Sequence, residues 1–336
     1  MRTFTLTLIL ICGASLAQAQ LFPNLGGQRA GISALTFLKM DVSPRSAGLA
    51  GANVVLSGDG YSALTNPAAS GELESFTMAA ANTFWFAGIN YAFLSVNQPF
   101  KWGTLGFSVN SLNSGPMEVR TVFQPNGTGE KFYANYYTAG ISYGKQLTDR
   151  FSWGAHLKYV HEQLAEFTAN TGVLDIGFLY ELEEVKKLRF AVLLQNFGPN
   201  STLNGSIEQD EIFNNGSITL EAYPAPTVFK VGLSIVPWEK EDGSQSLTAL
   251  FQLNHPNDNS ENLRFGLEYE YRKLLFVRLG YQLNVADQDF PTGGIGIRSR
   301  IGRHPLIFDY SITPHRFLGQ VHRIGINFSL NKIERS

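Results

Sequence analysis

The sequence predicts an all-β fold: a transmembrane antiparallel β-barrel of about 14 strands behind a short N-terminal helical plug. Three observations point there. From about residue 73 to Leu330, apolar residues alternate with polar residues or glycine, and no long apolar run occurs. In Phe265-Gly266-Leu267-Glu268-Tyr269-Glu270-Tyr271 the aromatic and leucine side chains share one face, with Gly266, Glu268 and Glu270 on the other. A period of two marks a strand whose faces meet different surroundings. Many of these segments also run for about nine residues or more, the length a tilted strand needs to cross a bilayer. Finally, the chain opens on a secretory signal.

Residues 1–19 carry that signal. Arg2 gives the positive start, Phe4 to Cys12 the short apolar core, and Ala17-Gln18-Ala19 a small-x-small cleavage site that leaves Gln20 first. Taking Cys12 as a lipidated first residue instead would leave a very short core. Cleavage at Ala19 removes the single cysteine, and with it any disulfide or thiol nucleophile. Without Arg2 the 26 basic residues become 25 against 28 acidic ones, a balance that excludes a nucleic-acid partner. The mean hydropathy of −0.06 is that of a soluble protein. A barrel produces the same value by diluting its lipid face with lumen residues, so a secreted soluble β-protein stands as the competing fold.

Residues 20–70 lack sustained alternation and form the predicted plug, with the barrel over 71–336. Ser43 reads as an N-cap with Pro44 at the first helical position, and Gly48 to Gly51 as the close of that turn. Asp59 starts a second short helix that stops before Asn66-Pro67. The strand segments are 73–80, 84–97, 101–123 (bent at Gly115-Pro116), 132–146, 150–166, 171–183, 186–197, 226–238, 244–255, 261–272, 274–285, 292–301, 305–313 and 319–330. Leu105, Phe107, Leu157, Phe178, Leu233, Leu279 and Ile326 belong to the outward set. Ser108, Asn110, His156, Lys158, Asp175, Lys230, Arg278, Arg323 and Asn327 face the lumen, because a basic residue facing lipid at mid-bilayer costs about 2–4 kcal/mol. The longest break, 198–225, is read as extracellular.

Chemistry is sparse. His304, His315, His322 and Asp309 lie near the C-terminus, but no serine elbow and no His-Glu-x-x-His spacing accompanies them. They read as strand-end and lumen residues. The oxygen-rich His255–Asn262 loop lacks the spacing of a calcium loop and reads as a solvated turn. Gly293-Gly294-Ile295-Gly296 has no following helix to cradle a phosphate, so its glycines make room for the plug or ease curvature. No catalytic, cofactor-binding or metal residue is assigned. Asn66-Pro67-Ala68 is the plug element expected to anchor it to the wall.

The plug motifs Pro44-Arg45-Ser46-Ala47-Gly48-Leu49-Ala50-Gly51-Ala52 and Asp59 to Ala68 carry a resemblance. With Gly172 to Gly177, Gln195-Asn196-Phe197-Gly198, Gly266 to Tyr269 and Arg278 to Tyr281, the chain resembles the PorV/PorQ family of outer-membrane proteins, which is related to FadL-type barrels. Pro44, Arg45, Gly48 and Gly51 are its plug motif. The resemblance implies a 14-stranded barrel in the outer membrane of a Gram-negative bacterium. It implies a non-enzymatic role in type IX secretion, with the translocon, the C-terminal domains of cargo or an attachment complex as partners beside outer-membrane lipid. On this reading the 198–225 loop, with Phe213 and Tyr223, is the partner-binding surface. The alternative is a FadL-like channel for hydrophobic small molecules. Lumen-facing Lys158, Lys230, Arg278, Arg298 and Arg300 weigh against its apolar pocket.

Overall fold

A computed structural model describes residues 31–204, 220–285 and 290–330. The signal segment and Phe213 lie outside them. Among the described residues sixteen strands succeed one another: β1 (Thr77–Phe84), β2 (Asn90–Phe100), β3 (Gly103–Asn113), β4 (Met117–Glu118), β5 (Lys131–Phe132), β6 (Ala134–Thr148), β7 (Phe151–Leu164), β8 (Phe167–Leu182), β9 (Leu188–Phe197), β10 (Val228–Glu239), β11 (Gln245–Pro256), β12 (Asn262–Tyr271), β13 (Leu275–Leu283), β14 (Thr292–Ile301), β15 (His304–His315) and β16 (Gly319–Ser329). Fourteen of them close into an antiparallel barrel, and β1 pairs with β16 to seal it. No described helix is long and apolar enough to cross a membrane. The barrel crosses with its strands, whose closure leaves no unpaired edge in lipid.

The strand count agrees with the sequence reading, but three boundaries move. β1 starts at Thr77 because the plug continues through a 3-10 turn, Pro67–Glu72. The apolar Trp85-Phe86-Ala87-Gly88 stretch is the first hairpin turn, with Ala87 at φ 56. The third strand does not run whole to residue 123. It stops at Asn113, just before Gly115 (φ 71) and Pro116, and β4 and β5 make a separate two-stranded ladder in the loop beyond. Pro116 has no N–H to give to a ladder, and Gly115 supplies the positive φ that turns the chain.

Alternation sorts the two faces as expected. Leu157 and Leu279 point outward with 62% and 56% of their surface exposed, while Lys158 and Arg278, one residue along, are 3% exposed. Such an apolar belt around a charged interior only makes sense with hydrocarbon outside. Phe100, Trp102 and Tyr143 stack in sequence, and Trp153 meets Tyr143 edge-on, forming part of an aromatic girdle. That girdle lies at the end where turns are short (101–102, 149–150, 302–303) and where β1 begins and β16 ends. The opposite end carries the long breaks 114–133 and 198–227, so it is the outer face.

Candidate functional site

The lumen is occupied by residues 31–73, and the contacts that seat them arise from small local signals. Ser43 Oγ accepts from the N–H of Ser46 (3.3 Å) and starts the Pro44–Gly48 helix. Gly51, at φ 74, closes that turn by donating to Ser46 O (2.8 Å), a backbone shape that glycine adopts without strain. Asp59 accepts from the N–H of Tyr61 (3.0 Å) ahead of the Ser62–Thr65 helix. Asn66 is fully buried; its Oδ1 accepts from Ala68 N (3.0 Å) and its Nδ2 donates to Val54 O (2.8 Å). It thereby caps the 3-10 turn that Pro67 opens and ties it to the preceding loop. Truncating Asn66 to Ala removes these bonds from a dry site and should cost about 1–3 kcal/mol. The check is proteolysis of residues 31–73 in the folded barrel, where an unchanged cleavage rate counts against this role.

The wall is shaped to receive these turns. Gly144, Gly154 and Gly177 lie opposite one another across β6, β7 and β8, all facing in. A methyl group on Gly154 would land on the backbone of Pro67, and one on Gly177 on the amide of Asn66. Across the lumen, Gly280 faces the backbone of Leu49 and Ala50, while Gly48 meets Gly294. The glycine of the Gly293–Gly296 run that approaches the plug is therefore Gly294; Gly293 faces away. Wall side chains complete the seat. Gln252 Oε1 accepts from Asn53 N (2.8 Å) and Val54 N (2.9 Å), and Thr292 Oγ1 accepts from Ala50 N (3.0 Å).

Charge holds the plug from one side. Arg45 binds Glu268 on β12 through two nitrogens (2.8 and 3.0 Å) and Asp59 within the plug (3.1 Å). Glu268 also accepts from Arg278 (2.6 Å), which continues to Asp309 on β15. Burial pushes the Asp59 carboxyl above its usual range, against the pull of Arg45. Opposite, Lys158 pairs with Asp175 (2.7 Å) and donates to Asn196, whose N–H in turn binds Asp175 (2.7 Å). Asn196 reaches inward because β9 bulges there, at φ 58. Strict alternation along β9 would turn that position outward, and the bulge brings it in; in the sequence only its place in Gln195-Asn196-Phe197-Gly198 marked it.

Between the plug and the outer end of the wall lies a cavity of about 200 Å³, lined by Leu38, Met40, Asp41 and Leu64 of the plug and by Val228, Lys230, Asn254 and Arg264 of the wall. Tyr223 stands apart from it, half exposed on the outer loop, where its backbone pairs with Ser201. The C-terminal histidines do not converge. His322 faces outward against the Tyr310 hydroxyl, His315 packs on Trp85, and Asp309 points inward to Arg278. In the His255–Asn262 loop, Asp258 is held by Lys39.

The architecture is that of a plugged outer-membrane barrel. No protein-family model and no curated protein matches the sequence. Among solved structures the chain is similar to the CymD monoaromatic hydrocarbon channel, with TM-score 0.56 and 13% identity over 87% of this chain and 98% of that one. It is also similar to the toluene transporters TodX of Pseudomonas putida (0.54, 12%, 90% and 98%) and TbuX of Ralstonia pickettii (0.53, 12%, 85% and 97%). At such identities the likeness is one of fold. The chain is thus a barrel of the FadL-like fold in the Gram-negative outer membrane.

These neighbours correct the expectation of a type IX secretion component, because the solved barrels that the chain is similar to include a monoaromatic hydrocarbon channel and two toluene transporters. The physical reason lies in the motifs that suggested it. Pro44, Arg45, Gly48, Gly51 and Asn66-Pro67-Ala68 are all engaged in plug turns or against the wall. Their pattern reports how the plug is seated in the wall, not what passes through the barrel. The objection from lumen cations also weakens, since Lys158 and Arg278 are matched by Asp175, Glu268 and Asp309.

Proposed function

We propose that the chain is a non-enzymatic, plugged outer-membrane channel for small hydrophobic molecules, taken up from the outer face. The observation that carries this reading is the outer-end cavity, whose walls come jointly from plug and barrel: Leu38, Met40 and Leu64 on one side, Val228 and Pro256 on the other. A ligand there touches the element that blocks the lumen, so its binding and any plug movement are coupled. The fold shared with hydrocarbon channels supports the same reading. The test is uptake of radiolabelled toluene at low concentration by intact Gram-negative cells, whose lipopolysaccharide leaflet slows apolar solutes. Cells producing the protein are expected to take up toluene faster than vector controls. Equal rates with the barrel correctly folded in the membrane overturn the proposal.

A further inference from the structure

We infer that the outer-end cavity holds an anion subsite, centred on Lys230, for the carboxylate of a compact organic acid. The inference rests on the channel reading and narrows its substrate class.

Lys230 projects inward from β10 and is 8% exposed, yet it makes no hydrogen bond or ion pair with any described residue. Every other buried basic side chain of the described wall has at least one polar or ring contact: Lys158 binds Asp175, Arg278 binds Glu268, Arg323 binds Asp41 O and Thr313, and Arg189 binds Glu72. A buried ammonium left alone carries a desolvation penalty that an opposite charge would offset. Arg264 shares the cavity and is bonded only to neutral groups, Asn262 Oδ1 (3.1 Å) and Gly51 O (3.4 Å).

The acids nearby are already engaged. Asp41 lines the cavity, but its carboxylate accepts from Ser43 N (3.1 Å) and Ser46 Oγ. Asp258 is taken by Lys39 (2.5 Å). Lys39, Lys230 and Arg264 thus stand against Asp41 and Asp258, and Lys230, which no carboxylate touches and on which Asp41 acts only through space, lines the empty volume. Asn254, opposite Lys230 in the β10–β11 register, adds a neutral amide beside it.

Size and lining set the rest of the ligand. About 200 Å³ is below the usual range of small-molecule pockets and suits one ring or a short branched chain. Leu38, Leu64 and Val228 give that body an apolar surface. A neutral hydrocarbon would leave the ammonium unanswered, whereas an aromatic monocarboxylate answers both surfaces.

The experiment is isothermal titration of the whole detergent-purified protein with benzoate, toluene and inorganic phosphate, for the native chain, Lys230→Met and Lys230→Arg. Benzoate is expected to bind the native chain and to lose about tenfold or more in Lys230→Met, the scale of one charge-assisted bond. Lys230→Arg should recover most of that loss. Retained benzoate affinity in Lys230→Met overturns the inference, as does phosphate binding as tightly as benzoate. If Lys230→Met does not fold, Lys230→Gln takes its place, with heat-modifiable gel migration as the fold check. The two readings fail separately: absent toluene uptake by cells retires the channel while leaving benzoate binding to be judged, and toluene binding that matches benzoate in every variant retires only the anion subsite.

Discussion

Arg45→Met is expected to loosen the plug by about 3 kcal/mol, the lower end of the range for removing one partner of a buried ion pair. Arg45 is the one described plug residue that joins a plug carboxylate to the wall's charge network, through Asp59 at 3.1 Å and Glu268 at 2.8 Å. Without it Glu268 keeps Arg278, but Asp59 loses its cation and is left with the Tyr61 N–H. The variant should show faster proteolysis of residues 31–73 and a lower thermal transition, with the barrel still heat-modifiable. Arg45→Lys should fall between, since an ammonium cannot reproduce the two-nitrogen grip on Glu268. Combining Arg45→Met with Glu268→Gln should cost less than the sum of the single changes, because the two groups act on each other. Additive losses would show that Arg45 holds the plug in some other way.

The wall was legible in the sequence because a barrel between lipid and a charged lumen enforces strict alternation. Leu157-Lys158 and Leu279 beside Arg278 could not be exchanged between faces without placing a cation in hydrocarbon. Boundaries were less legible. Trp85 and Phe86 look like strand residues but pack in a turn, with Trp85 against His315. The Pro44 helix could be read from Ser43 and Pro44 alone, since capping is local. The partners of Arg45 and Asn66 could not, because Glu268 lies 223 residues away and Phe178 112 residues away. Nor could the cavity, which exists only where plug and wall fail to meet. Lys230 read simply as one more lumen cation; what sets it apart is the missing partner, and no pattern in one sequence records that.

Gly154→Val should unseat the plug, while Gly293→Val should be nearly silent, although both put the same side chain into a barrel strand. Valine is a good strand former, so local propensity favours both changes. The difference is what each Cβ meets. At Gly154 it lands on the carbonyl carbon and oxygen of Pro67 and the backbone nitrogen of Ala68, whereas at Gly293 the nearest atom is a methyl group of Ile312 at 3.8 Å. Backbone cannot swing aside as a flexible side chain does, and the Pro67 turn is pinned by Asn66. Overpacking costs about 1–3 kcal/mol, and a backbone obstacle belongs at the top of that range. Gly280→Val, against Leu49 and Ala50, should act like Gly154→Val from the other side of the lumen. In planar bilayers the native barrel is expected to be quiet, Gly154→Val and Gly280→Val to give conductance steps, and Gly293→Val to stay quiet. Silence in both inward variants would mean that the plug does not rest on the glycine floor. Conductance in all three would mean that valine disturbs the wall itself. Only the split by face ties the closed lumen to the close approach of plug and wall.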